Sequence, residues 1–192
     1  MNNWVVKESS PLTQEEMENN VEILWNFFGS KGWTANAVAA LAANMEAEST
    51  INPGRWESDI VGRLDYGFGL VGWTPATRFR NWVNSYYDST DYTNGDYQME
   101  RIIWEMDNNE GYYPTRRYPE TFKEWSESEK APGYLAEAFL INYEKPADQS
   151  QAVKNFRASL AAMWYEIITG LPAPHYFNLP VWLLFKFKKG VL

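Results

Sequence analysis

A run of small apolar residues in the first third of the chain constrains the fold more than any other feature. From Ala35 to Glu48 the sequence reads Ala-Asn-Ala-Val-Ala-Ala-Leu-Ala-Ala-Asn-Met-Glu-Ala-Glu. A helix that is apolar nearly all round has to be surrounded by other elements, and its alanines let those elements approach closely. We therefore predict a central, buried helix over residues 35–48, capped by Thr34 and stopped by Asn52-Pro53-Gly54.

Two acids, Glu46 and Glu48, lie at the end of this predicted helix. A spacing of two residues turns them about 200° apart around the helix axis, so they do not share a face. Glu48 comes last, next to Ser49, where a helix end can open into a cleft, whereas Glu46 is expected to be a structural or solvated acid. Burial beside aromatic surface raises the pKa of a carboxyl group. Glu48 is therefore the candidate proton donor; the alternative is that it only binds the segment that follows.

Composition excludes several other chemistries. The chain has no Cys and a single His, His175, which argues against disulfides, thiolate chemistry, zinc sites and a Ser-His-Asp hydrolase, and no cofactor is expected. The net charge is −8, and the sequence has no Lys/Arg cluster before its last few residues, so no nucleic-acid partner is predicted. No signal peptide is visible, and no apolar stretch reaches the ~18 residues of a membrane span.

The remaining pattern is mainly helical. Capping boxes at Thr13 and Thr121 begin two helices, and Thr74-Pro75 is predicted to begin another, with Thr74 as its N-cap. Residues 55–73 alternate glycines with aromatic residues, which predicts a small β-hairpin lobe and an α+β, mainly α fold. We expect a loose N-terminal arm (1–12), one domain (13–170), and a Pro-rich linker with an apolar-basic tail (171–192).

Two longer motifs carry a family resemblance. The first runs from Asn44 through Glu48-Ser49 to Gly54, and the second reads Gly67-Phe68-Gly69-Leu70-Val71-x-Trp73-Thr74-Pro75. Together with Phe139-Leu140-x-x-Tyr143-Glu144-x-Pro146-Ala147, they resemble the tail lysozyme domain of phages that infect Gram-positive bacteria. The resemblance covers about residues 17–168. The Glu-Ser pair is also similar to that of goose-type lysozymes and lytic transglycosylases.

The resemblance implies a lysozyme-like fold and cleavage of the β-1,4 bond between N-acetylmuramic acid and N-acetylglucosamine in peptidoglycan. It places the catalytic acid on Glu48 and implies that the cleft opposite is lined by a strand and one tyrosine. The implied lining residues are Gly69, Leu70, Val71 and Tyr143. Trp56 and Trp73 are candidates for stacking on sugar rings, with core packing as the alternative. The chain departs from the family at Gly72, where Gln is common, so a side chain able to bind substrate or water is missing.

The second carboxylate stays open at this stage. Asp65 and Asp59 both fall in the predicted β-lobe that would face Glu48, and neither has a motif that singles it out. A third alternative needs no second acid, because the acetamido group or the 6-hydroxyl of the substrate would assist. Hydrolysis and lytic cleavage are therefore both compatible with the sequence.

The expected setting is a phage virion, with the protein associated with the tail and acting on peptidoglycan glycan strands of the host wall. A free acidic enzyme would be repelled by a polyanionic wall, so we expect a tether, and residues 171–192 are predicted to dock into phage tail proteins. The alternatives for these residues are a strand or short helix packed back on the domain and a contact with a membrane surface. No second catalytic domain is expected from this sequence. The alternative function is a non-catalytic wall-binding or structural tail protein with the same fold.

Overall fold

Helices make up nearly all the regular structure of residues 2–174, the part of the chain that the computed structural model describes. In chain order the elements are α1 (Gln14–Ser30), α2 (Ala35–Ser49), a 3-10 turn (Glu57–Asp59), α3 (Thr77–Tyr87), α4 (Gly95–Asp107), α5 (Phe122–Ser126), α6 (Pro132–Phe139), a π-helical turn (Leu140–Glu144) and α7 (Gln151–Thr169). No helix in this part of the chain has both the length and the apolar character needed to cross a membrane.

The central position predicted for the alanine-rich helix is confirmed. Every residue from 37 to 45 is fully buried, and α2 packs mainly against α7 and α6, with α1 on another side. The Thr34 hydroxyl caps the helix by accepting a hydrogen bond from the Ala37 amide at 3.1 Å. The helix ends at Thr50, whose φ of 56° lies in the left-handed region. Beyond this buried stretch, the last turn of α2 reaches solvent at Ala47 and Glu48.

The predicted α+β fold with a β-hairpin lobe is wrong. Within the described residues there is no strand, and the segment between α2 and α3 contains two isolated antiparallel bridges, Trp56 with Phe68 and Phe68 with Trp73. The stretch Gly69-Leu70-Val71, predicted as a strand, is a turn between the two partners of the second bridge. The alternating pattern of glycines and aromatic residues produces an irregular loop, here called the cleft loop (residues 53–76).

Side chains form hydrogen bonds with the backbone groups that a strand ladder would need. The Gly67 amide donates to the Glu57 carboxylate at 2.7 Å, and the Leu70 amide donates to Gln98 Oε1 at 2.8 Å. The Leu70 carbonyl accepts from the Ser49 hydroxyl at 2.9 Å. A ladder requires consecutive backbone pairs between neighbouring strands, so these bonds stop it after single bridges.

The predicted start of α3 also moves. The helix begins at Thr77 with Ala76 at its N-cap position, and the Thr74 hydroxyl donates instead to the Gly72 carbonyl at 3.0 Å. The two predicted capping boxes, at Thr13 and Thr121, are confirmed in full.

The N-terminal arm is held against the domain rather than loose. Asn20 of α1 both donates to and accepts from the backbone of Val5, at 2.9 Å in each case. Asn52 donates to the carbonyls of Lys7 and Ser10, at 2.7 and 2.8 Å. The arm therefore braces the turn that follows α2. Most of the predicted C-terminal tail, residues 175–192, lies outside the described residues, and its predicted docking stays a prediction.

The burial of α2 makes its alanines intolerant of larger side chains. We expect Ala40→Leu to destabilise the protein by about 1–3 kcal/mol, because added methylenes in a filled core force neighbours to shift. Ala47→Leu is the matched control, since Ala47 lies two turns later on the same face and is exposed. Urea unfolding of both variants measures the difference. Equal stabilities would show that α2 is not packed as described.

Candidate active site

A cleft of about 290 Å³ opens where the end of α2, the cleft loop and the end of the π-helical turn meet. The lining includes three carboxylates and several glycines. Its residues are Glu48, Arg55, Trp56, Glu57, Ser58, Gly67, Phe68, Gly69, Val71, Gly72, Thr74, Glu144 and Pro146. A larger hollow of about 430 Å³ lies beside the C-terminal end of α7, but it carries a single acid, Glu166. The three carboxylates identify the first cleft as the candidate site.

Ser49 joins the helix end to the cleft loop. Its hydroxyl lies 2.9 Å from the carbonyl oxygens of both Leu70 and Met45. From α4, the buried Gln98 holds the same turn: it accepts from the Leu70 amide and donates to the Pro53 carbonyl at 2.8 Å. The turn at residues 69–72 is thus fixed to two helices, which explains the serine that follows Glu48.

Gly72 faces Glu48 directly. A Cβ atom at position 72 would lie 3.5 Å from Glu48 Oε2, which is ordinary van der Waals contact. The φ of Gly72 is +62°, in the left-handed region. The position at which this sequence departs from the family pattern is therefore next to the candidate acid, and without a side chain there the space beside Oε2 stays open.

The other oxygen of Glu48 is bound. Oε1 accepts a hydrogen bond from Arg157 Nη2 of α7 at 2.5 Å, while the Glu48 side chain remains 32% exposed. Arg157 is itself 6% exposed, and its Nη1 donates to the Asn44 carbonyl at 3.0 Å. A buried arginine thus fixes Glu48 at the cleft wall.

A second acid shares this arginine. Glu144 Oε2 lies 3.2 Å from the same Arg157 Nη2, and the Glu144 side chain is only 5% exposed. Burial raises the pKa of Glu144 well above its usual value; the charge of Arg157 opposes this shift, and the neighbouring Glu48 adds to it. The π-helical turn that ends at Glu144 brings this side chain to the cleft.

Sequence reasoning did not single out Glu144 or Arg157, although each leaves a trace. Glu144 stands inside the third motif, directly after the tyrosine that was selected. Arg157 shares a buried face of α7 with Ala161 and Trp164, at helical spacings of four and seven residues. An arginine on an apolar face needs a buried partner, and that requirement could have pointed to it.

Two of the predicted lining residues turn away from the cleft. Trp73 is 4% exposed, stacks on Phe79 with ring centroids 4.7 Å apart, and donates to Glu105 at 3.1 Å. The Tyr143 hydroxyl also donates to Glu105, and its ring stacks on Phe139. Burial raises the pKa of Glu105, and the hydrogen bonds it accepts oppose that shift. Trp73 therefore packs in the core, as the alternative had it.

Trp56 lies on the cleft, together with two of the three predicted loop residues. Its ring is 8% exposed and packs against Phe68 at 4.6 Å, so only an edge of it faces the opening. Gly69 and Val71 line the cleft as well, whereas Leu70 is fully buried beneath the turn.

The two aspartates predicted as a second carboxylate are exposed residues of the cleft loop. Asp59 pairs with Arg55 at 3.1 Å and Asp65 with Arg63 at 3.2 Å. Neither belongs to the described cleft lining, whereas Glu57 does. Among the described residues, no three or more His, Cys, Asp or Glu side chains are grouped so that they could hold a metal ion.

Glu46 has a structural contact, in line with the expectation from helical geometry. It accepts a hydrogen bond from the Trp164 indole of α7 at 2.7 Å. Burial raises the pKa of Glu46, and the bond to Trp164 opposes that shift. The two acids at the end of α2 therefore hold different parts of α7, and Glu48 alone of the pair lines the cleft.

Comparison with known proteins identifies a family and a related phage protein. The family described as phage tail lysozyme matches residues 19–168. Morphogenesis protein 1 of Bacillus phage B103 is 41% identical over 159 residues, which is 83% of this chain and 42% of that protein. The chain therefore spans less than half the length of this relative.

The turn beneath the cleft should resist substitution at Gly69. A Cβ there would lie 2.6 Å from Gln98 Oε1, so Gly69→Ala should displace Gln98 from the Leu70 amide. Gly62→Ala is the matched control, because Gly62 has nearly the same φ, +80° against +82°, and open space around it. Both variants carry left-handed strain of about 1–2 kcal/mol. In urea unfolding, the free energy of unfolding of Gly69→Ala should fall by about 1–3 kcal/mol more than that of Gly62→Ala. Equal losses would show that Gln98 does not hold this turn.

Proposed function

The chain belongs to the phage tail lysozyme family, and on that premise we propose that it is a muramidase. Its substrate is the β-1,4 bond between N-acetylmuramic acid and N-acetylglucosamine in peptidoglycan glycan strands. The observation that carries the proposal is the position of Glu48. Its carboxyl group lies in the last turn of a largely buried helix, with one oxygen anchored to Arg157 and the other beside the open space over Gly72.

The two oxygens of Glu48 suggest how the proton is delivered. Cleavage of a glycoside requires an acid that protonates the leaving oxygen while positive charge develops on the sugar ring. We assign the transferred proton to Oε2, because Oε1 is held by Arg157. As the bond between the glycosidic oxygen and the anomeric carbon breaks, the oxygen keeps the electron pair of that bond and receives this proton. Glu48 becomes a carboxylate next to the arginine.

The identity of the group that attacks the anomeric carbon stays a prediction. Asp65 and Asp59 remain the candidates from the sequence, although each pairs with an arginine and neither belongs to the cleft lining. Glu57 is a further candidate, since it lies in the cleft lining, but its carboxylate also accepts from the Gly67 amide. If water attacks, the product is a reducing sugar; if the 6-hydroxyl of the substrate attacks, it is an anhydro sugar.

We place this activity on a phage virion, where it would open the host wall locally. Two facts support the placement: the family is that of phage tail lysozymes, and the related phage B103 protein is named a morphogenesis protein. Attachment to a particle would also overcome the repulsion between a chain of net charge −8 and a polyanionic wall. The proposed partners are therefore glycan strands and tail proteins.

A non-catalytic role in the tail is the second candidate. The name of the related protein favours it, and so does Gly72, which leaves no side chain beside Glu48 Oε2 at the position where Gln is common in the family. On this alternative the cleft would bind glycan strands, or simply persist as part of the fold, without cleaving them.

Replacement of the acid separates the two candidates. We expect Glu48→Gln to reduce the release of soluble muropeptides from purified sacculi by about 10²–10⁴-fold, the usual contribution of a general acid. The amide keeps the shape and the hydrogen bond to α7 but has no proton to donate. Glu46→Gln is the control: it makes the same change two residues earlier at a structural acid, and activity should be retained.

Mass spectrometry of the released muropeptides completes the test. Reducing ends identify hydrolysis, and anhydro ends identify lytic cleavage. A wild-type protein that releases neither product from sacculi of several wall types would refute the muramidase. Full activity in Glu48→Gln would show that another residue is the acid.

A further inference from the structure

Glu105 of α4 is a buried acid that does not belong to the described lining of the cleft. Its side chain is 1% exposed. Oε1 accepts hydrogen bonds from the Trp73 indole at 3.1 Å and from Arg101 Nε at 3.0 Å. Oε2 accepts one from the Tyr143 hydroxyl. The two oxygens of one carboxyl group therefore bind the cleft loop, α4 itself and the π-helical turn.

Two of these partners stand directly beside residues of the cleft. Trp73 follows Gly72 in the chain, and Tyr143 precedes Glu144. Gly72 and Glu144 both line the cleft, one from the cleft loop and the other from the π-helical turn. Glu105 thus connects two walls of the cleft from behind, through side chains that point away from the opening.

Both walls also border the candidate acid. A Cβ at Gly72 would lie 3.5 Å from Glu48 Oε2. On the other side, Glu144 binds Arg157 Nη2, the nitrogen that also holds Glu48 Oε1. A shift of the first wall would change the space beside Oε2, and a shift of the second would disturb the anchor of Oε1.

We propose that Glu105 is a positioning residue for the cleavage reaction: by bonding Trp73 and Tyr143, it fixes both walls of the cleft around Glu48. The inference rests on the proposed muramidase function and adds a residue to it. Glu105 does not touch the glycan strand, since it acts through its two aromatic partners. Trp73 and Tyr143, which the family resemblance placed in the cleft, thus contribute to it indirectly.

Directional bonds give a reason for burying polar groups at this place. A carboxyl group and its donors lose hydration when they are buried, and apolar side chains of similar volume would fill the space without that cost. Apolar contacts allow neighbouring segments to slide, whereas a hydrogen bond restricts the distance and the direction between its two partners. Such restriction matters at a reacting site, because a misplacement of about 1 Å can slow a reaction about 10²-fold.

The surroundings leave little room for another arrangement. A Cβ at Gly111, in the loop after α4, would lie 2.8 Å from Tyr143 Cε2 and 3.3 Å from Glu105 Oε2. The rings of Trp73 and Tyr143 also stack on phenylalanines of the core. Packing therefore orients the two rings, and the bonds to Glu105 join them.

Removal of one hydrogen bond at a time tests the inference. Tyr143→Phe and Trp73→Phe each delete one donor to Glu105 and keep an aromatic ring. On soluble glycan strands we expect kcat to fall about 10–100-fold in each variant. KM should change little, because a displaced acid weakens the transition state more than the bound substrate. Glu105→Gln keeps the side-chain volume but has one acceptor oxygen instead of two, so it should show the same split.

Tyr118→Phe is the matched control. The Tyr118 hydroxyl also donates to a buried acid, Glu137, and neither residue belongs to the described cleft lining. The variant loses the same kind of bond as Tyr143→Phe, so urea unfolding should show a similar loss of stability in both. Its kcat should stay close to that of the wild type. If Glu105 only stabilised the fold, the two variants would have equal kcat.

Amide hydrogen exchange tests the inference without activity. In Tyr143→Phe the amides of the π-helical turn should exchange at least about fivefold faster than in Tyr118→Phe, and in Trp73→Phe the amides of Gly72 and residue 73 should do so. If Glu105→Gln or Trp73→Phe does not fold, Tyr143→Phe carries the test.

Two outcomes separate this inference from the proposed function. Equal kcat and equal exchange in Tyr143→Phe and Tyr118→Phe would overturn the role of Glu105 alone, provided that the wild type is active and Glu48→Gln is not. A wild type that releases no product would contradict the proposed function. The exchange rates would then still decide whether Glu105 holds the two walls.

Discussion

The burial of α2 over residues 37–45 is the constraint on which the rest of the domain depends. A helix of alanines has little surface of its own to bury, so it contributes to stability only by letting α1, α6 and α7 approach closely around it. The same packing leaves the last turn of α2 open to solvent. Glu48 lies in that last turn, three residues after the fully buried stretch from 37 to 45. A reacting group on such a base keeps its geometry without help from the substrate.

The cleft loop takes its shape from the same helix end. Ser49 and Asn52, which flank the terminal turn, bind the Leu70 carbonyl on one side and the N-terminal arm on the other. Gln98 of α4 adds two further bonds to the loop backbone. Polar side chains thus do here what a sheet would do elsewhere: they satisfy buried backbone groups and fix the distance between the loop and the acid.

Local pattern predicted the parts of the structure that depend on local interactions. The central helix, its cap and both capping boxes follow from residues within a few positions of one another. The predicted β-lobe is wrong because backbone groups of this segment bond to side chains elsewhere in the sequence. One of these side chains is Gln98, which lies 28 residues beyond Leu70. Arg157 lies 109 residues beyond Glu48, so no spacing rule connects them. The motif includes Glu48 but gives no sign of its contact with Arg157.

The cost of burying charge bears on why Arg157 and Glu144 are present at all. Moving an arginine and a glutamate out of water costs more than a simple ion pair returns in many proteins, and apolar residues of the same size serve stability as well or better. Here the pair is buried beside the one acid that lines the cleft from α2, and it is bonded to that acid. The buried pair fixes the side chain of Glu48 at the cleft wall, because Arg157 bonds to both carboxyl groups and to the Asn44 carbonyl. An apolar pair of the same size would leave the carboxyl group of Glu48 without this anchor.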